Sequence, residues 1–153
     1  MRHANEWNAA LEPVRIAATA YADMLEQCRA ALPYEACGLL AASGSHGEAP
    51  GLIDRALPVR NCSRTPQTAF RFAPEDWIRQ TYAIRSQGWQ LVGLYHSHPL
   101  AAPRPSTADW LGWPEAGSLT CWIIGPSADE APEARVYRRG PNAFEPIPFA
   151  VAR

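Results

Sequence analysis

Leu91-Val92-Gly93-Leu94-Tyr95-His96-Ser97-His98-Pro99 is the stretch from which the rest of the chain is read. Leu91 to Tyr95 is short and wholly apolar, the pattern of a buried central strand. Side chains alternate along a strand, so His96 and His98 point to one face and Ser97 to the other. Two neutral imidazoles about 7 Å apart at a strand end can converge on one ion. Asp109 lies at the start of the following helix and would supply a third ligand. Two nitrogens and one oxygen suit Zn²⁺, with a fourth position open for water; that is the mark of a catalytic rather than a structural site. Glu35, far upstream, would complete a hydrolytic site. Each piece alone has a plainer reading. A lone His-x-His is more often packing or surface, Ser106-Thr107-Ala108-Asp109 alone is a helix-capping box, and Glu35 alone is a solvated carboxylate.

Bulk properties bound the remaining choices. A chain of 153 residues fits one domain, here 1–153, and can bury a core without staples. The net charge of −1 gives no electrostatic case for nucleic acid or for an anionic membrane surface. No apolar run approaches the ~20 residues of a membrane span. The first residues lack the apolar core of a signal peptide, so a cytoplasmic location is the default expectation. Cys28, Cys37, Cys62 and Cys121 form no CxxC pair and read as mostly buried thiols. All 14 basic residues are arginine, which fits codon bias in an Ala- and Pro-rich chain.

Along the chain, residues 1–13 read as a loose arm and Val14 to Ile16 as an edge strand. Thr19 is expected to cap a helix running to Leu32, where Tyr21, Met24, Leu25 and Cys28 recur at helical spacing. Ala36 to Ala42 reads as a strand, followed by a turn over 43–47. It pairs as a hairpin with a strand over 51–59. Residues 61–67 read as a loop and Ala69 to Phe72 as a short strand. Pro74 opens a second helix and Gly88 closes it. A rigid loop, 99–105, precedes a short helix from Ser106 to Trp113. Leu119 to Ile124 reads as a second buried strand, stopped by Gly125-Pro126. Residues 135–138 and 144–149 read as edge strands. The expected fold class is α/β, a mixed β-sheet flanked by helices.

The residues resemble the JAMM (MPN-plus) signature: a glutamate, then His-Ser/Thr-His-Pro, with seven residues (the proline included) between the second histidine and Ser-x-x-Asp. Here these are Glu35, His96-Ser97-His98-Pro99, residues 99–105 and Ser106-Thr107-Ala108-Asp109. Pro33-Tyr34-Glu35-Ala36-Cys37-Gly38-Leu39-Leu40 is similar to the glutamate segment of the short prokaryotic members. The resemblance runs from Val14 to Ile124. It implies a cytidine-deaminase-like fold holding a zinc metallopeptidase. Deaminase chemistry itself lacks its HxE and PCxxC ligands, and HExxH is absent too.

The resemblance also implies roles. His96, His98 and Asp109 would hold one Zn²⁺, which lowers the pKa of bound water to about 7. Glu35 would act as general base and Ser106 would stabilise the oxyanion. Ser97, facing away, is read as support for the ligands. Trp110 and Trp113 would wall a narrow groove for Gly-Gly or else pack in the core. Cys37 is read as a buried strand thiol rather than a nucleophile.

Family members cut after the C-terminal Gly-Gly of ubiquitin or ubiquitin-like proteins. The short members resemble enzymes that process sulfur-carrier proteins, sometimes in a pathway with an E1-like adenylating enzyme. That class is favoured here. One rival is a desampylase-like isopeptidase acting on lysine conjugates. Another is the metal-free scaffold branch of the fold, which lacks the ligands present here. A third is a RadC-like DNA-associated protein, opposed by the near-neutral charge and the absence of a helix-turn-helix segment.

Overall fold

The computed structural model describes residues 12–44, 51–113, 118–126 and 131–153. Strand β1 (Val14–Ala17) runs straight into helix α1 (Ala18–Ala31). Strands β2 (Cys37–Ala42) and β3 (Arg55–Val59) precede helix α2 (Pro74–Ser86). Strand β4 (Gln90–Ser97), helix α3 (Thr107–Gly112) and strand β5 (Thr120–Pro126) follow. The chain ends with β6 (Pro132–Arg139), β7 (Phe144–Ile147) and β8 (Phe149–Ala152). Six strands form one sheet in the order β3-β2-β4-β5-β6-β7, and β1 pairs with β8 in parallel. Only the β4–β5 pairing within the larger sheet is parallel, so the sheet is mixed, as expected.

Period-2 alternation sorts the apolar side chains onto two faces. Leu40, Tyr95, Trp122, Ile124 and Val136 pack with Ala20, Met24 and Cys28 of α1. Leu39, Ala41, Leu94, Cys121 and Ile123 pack on the other face with Ile84 of α2 and with Trp113. Leu94 and His96 share parity, so His96 belongs to this second face. Residues 35, 37 and 39 share it too, which places Glu35 on the same side. Gly38 is needed on the first face. A Cβ there would collide with the Tyr95 ring and come within 2.5 Å of the Leu57 carbonyl oxygen.

Several elements differ from the sequence reading. The N-cap of α1 is Ala17, and Thr19 lies inside the first turn. The strand feeds the helix without a loop, and Ala17 N–H is taken by the Ile53 carbonyl at 2.7 Å. Residues 69–72 form no strand; Phe72 makes one isolated bridge, to Asn61. Gly125 and Pro126 do not stop β5 but belong to it, paired with Glu133 and Pro132. Strand β6 is not an edge, because β7 covers its outer side. Residues 144–149 are two strands in different sheets, parted by Pro148, which cannot donate a ladder bond. Residues 1–11 of the expected arm and 45–47 of the expected turn lie outside the described residues. No helix among the described residues is long and apolar enough to cross a membrane.

Gly38→Ala is expected to overpack the β2–β4 contact and lower stability by about 1–3 kcal/mol. Urea unfolding checks it, and an unchanged midpoint contradicts the packing described.

Candidate metal centre

The end of β4 carries His96, and His98 follows one residue beyond the strand. His98 N–H still donates to the Ile124 carbonyl at 2.7 Å, so the extended geometry continues through it. The alternation therefore holds: the two rings converge and Ser97 turns the other way. Ser97 Oγ accepts the Ala36 N–H at 2.8 Å, and Ser97 N–H donates to the Ala36 carbonyl at 3.0 Å. Ser97 thus ties the histidine strand to the segment that carries Glu35.

His96 Nε2 and His98 Nε2 lie 3.1 Å apart. Asp109 places Oδ1 3.1 Å from His96 Nε2 and Oδ2 3.3 Å from His98 Nε2. One ligand-type atom each from Glu35, His96 and His98 falls within 4.8 Å of the others. All three of these residues are buried. Glu35 thus joins the histidine pair, and Asp109 touches both imidazoles. Two unprotonated ring nitrogens facing each other at this distance repel unless a proton or a cation lies between them. Paired imidazoles beside carboxylates, shielded from water, are a donor set that fits a divalent cation.

The supporting contacts fix the donors. His98 Nδ1–H donates to the Ala102 carbonyl at 3.0 Å, which aims Nε2 at the site. The loop 99–105 reaches this position because it lies directly on β5. A Cβ at Gly125 would stand 2.8 Å from the Ala101 carbonyl oxygen, and Tyr137 Oη–H donates to the Pro103 carbonyl at 2.7 Å. Asp109 is the N3 residue of α3. Its Oδ2 accepts Ser106 N–H at 2.8 Å, while Ser106 Oγ accepts Asp109 N–H at 3.0 Å. The capping box and the contact with both histidines share one carboxylate.

The electrostatics follow from burial and contact. Burial lifts the Glu35 carboxyl to about 7, with the His98 charge opposing and the Asp109 charge adding. Burial acts the same way on Asp109, but its bonds to His96 and His98 outweigh it and hold the carboxyl well below the usual range. Burial lowers His96. For His98 burial also disfavours charge, and the bonds to Asp109 and Ala102 overcome it, raising its pKa. Cys37 is a different case. Burial pushes its thiol up to about 12, and its Sγ–H donates to the Val59 carbonyl at 3.3 Å. It is a packed thiol whose proton is held by a backbone carbonyl.

A cavity of about 380 Å³ opens onto the site, lined by His96, Ser106, Asp109, Trp113, Phe70 and Arg71 among others. Trp113 is buried in this wall and packs edge-on against Phe144. Trp110 does not line the cavity. It borders a separate cleft with Ser106 and Phe144, beneath the Arg139 guanidinium at 3.9 Å from its ring. Sequence reasoning missed Phe70, whose ring stacks on His96 at 4.4 Å and 26°. The signal available was an aromatic pair, Phe70 and Phe72, in a segment read as a strand.

The chain has relatives in sequence and in structure. Desampylase of Haloferax volcanii is 36% identical over 91 residues, 58% of this chain and 63% of that protein. A Thermus thermophilus protein, named as a TtuB-protein conjugate cleaving protease, is 31% identical over 90 residues, 56% of each chain. The chain thus spans less than two thirds of these two relatives. A Desulfitobacterium hafniense protein solved in solution superposes with a TM-score of 0.75 at 26% identity, covering 90% of this chain and 92% of that one. Residues 17–140 match the model of the prokaryotic homologs of the JAB domain, and the chain belongs to that family.

Proposed function

We propose that this chain is a zinc-dependent metallopeptidase. It hydrolyses the peptide or isopeptide bond after the C-terminal Gly-Gly of a ubiquitin-like or sulfur-carrier protein. The observation that carries this reading is the buried Glu35 carboxyl within 4.8 Å of two convergent imidazoles, both of which Asp109 also contacts. Ubiquitin-like and sulfur-carrier substrates are supported by the names of the Haloferax and Thermus relatives.

His96, His98 and Asp109 would hold the ion. Bound zinc supplies an activated water and polarises the scissile carbonyl. Glu35 would accept a proton from the water that attacks the carbonyl carbon. It then returns the proton to the amine nitrogen as the C–N bond breaks. Ser106 Oγ spends its acceptor capacity on Asp109 N–H and keeps its own proton to donate to the oxygen that becomes charged in the tetrahedral intermediate. Ser97 holds β4 against the Glu35 segment and touches no reacting atom. Trp113 and Phe70 narrow the approach beside His96, which suits a chain without side chains next to the scissile bond. An E1-like adenylating enzyme in the same pathway would supply the activated carrier.

The second reading, a desampylase-like isopeptidase, is favoured by the 36% identity to that relative. A carrier with a short C-terminal extension and the same carrier conjugated to a lysine separate the two. The proposed class predicts faster turnover of the extension. Faster turnover of the conjugate selects the isopeptidase, and cleavage of neither rejects the Gly-Gly reading.

Glu35→Gln is expected to retain the metal and lose roughly 10²–10⁴-fold in kcat. Metal analysis beside an activity assay checks this, and full activity removes Glu35 from the base role. Asp109→Asn keeps an oxygen to cap Ser106 N–H but loses the charge, so metal affinity is expected to fall at least about tenfold. Unchanged stoichiometry after dialysis against a chelator counts against Asp109 as a ligand.

A further inference from the structure

Glu35 has no strand partner of its own, since β2 begins at Cys37. Its backbone is nevertheless gripped on both sides by one segment. Glu35 N–H donates to the Pro66 carbonyl at 2.7 Å, and Asn61 Nδ2–H donates to the Glu35 carbonyl at 3.0 Å. The second Nδ2–H of Asn61 donates to the Ala69 carbonyl at 3.0 Å. Asn61 Oδ1 accepts the N–H groups of Ser63 and Arg71, both at 3.0 Å. All four bonding sites of the amide are used, which leaves it no spare capacity. Its orientation is fixed by the same bonds. Exchanging Oδ1 and Nδ2 would set an oxygen against two carbonyls and an NH₂ against two N–H groups.

The bonds to Ala69 and Arg71 bracket Phe70, the ring stacked on His96. One side chain thus holds the backbone of Glu35 and, through Phe70, the cavity wall over His96. We infer that Asn61 is a positioning residue: it sets the Glu35 carboxyl against the histidine pair and locks the Phe70 wall to the same frame. This rests on the reading of Glu35 as general base. Asn61 touches no substrate and acts through Glu35.

The test uses Asn61→Asp in the full, metal-loaded chain. The substitution keeps the shape and the acceptor but removes both donors. A base displaced by a fraction of an ångström loses rate steeply, so kcat is expected to fall roughly 10–10²-fold with metal stoichiometry unchanged. In a Glu35→Gln background the same substitution is expected to cost nothing further, because the group it positions has gone. Amide hydrogen exchange of the metal-free protein gives a readout independent of activity. The Glu35 amide is expected to exchange about tenfold faster or more, with Leu94 and Ile123 unchanged.

Unchanged kcat in Asn61→Asp overturns the inference. So does an equal loss in the presence and absence of Glu35. If Asn61→Asp does not fold, Asn61→Gln decides. It retains the amide one methylene out of place, and the inference requires reduced kcat with metal and melting temperature kept. Parental kcat in Asn61→Gln, or failure of both variants to fold, overturns it. Retained activity in Glu35→Gln would instead reject the base reading on which the inference stands.

Discussion

The pairing register of β2 on β4 is the constraint on which the rest depends. Cys37 stands opposite His96 and Leu39 opposite Leu94. A slip of one residue would turn every side chain of β4 to the opposite face. His96 would then enter the apolar layer beneath α1, and Tyr95 would stand where the imidazole belongs. Apolar packing on both faces prevents this. Tyr95 and Leu40 fill one layer while Leu94 and Leu39 fill the other. The polar cluster is thus placed by hydrophobic forces that act a few residues away from it.

Those forces act against a local penalty. Glu35, His96 and His98 are all nearly inaccessible to water, and burying such groups is unfavourable unless they satisfy one another. No buried side-chain nitrogen or oxygen among the described residues lacks a partner. Asp109 does most of the compensation, touching both imidazoles and a backbone N–H at once. Removing it would take away the carboxylate in contact with both rings. The rigid loop 99–105 contributes by fixing His98 through the Ala102 carbonyl, so little ordering remains when a ligand arrives.

The sequence made the central strand and the convergence of His96 with His98 legible because both follow from a period of two. The helix starting at Pro74 was legible because proline and the acidic residues after it act locally. The position of Glu35 beside the histidines was legible only through the order of the signature, since 61 residues separate Glu35 from His96. What the sequence concealed was long-range competition for backbone groups. Residues 69–72 have strand-like composition, yet the Asn61 amide takes the groups a neighbouring strand would have used. Gly125 and Pro126 look like a terminator, but a glycine also permits the close approach of the Ala101–Pro103 backbone, and the strand runs through. Trp110 and Trp113 sit three residues apart in a short helical segment. Only tertiary packing separates them into two clefts.

The shared carboxylate of Asp109 has a further consequence. Helix α3 spans Thr107–Gly112 and buries none of its own residues, so its order leans on its cap. An ion that engages Asp109 acts on the same atoms that start the helix. Ion occupancy and helix order then become linked quantities, each raising the other by the same factor. A chain short of metal would fray at α3 first. Ion occupancy would in this way bear on how long the fold persists.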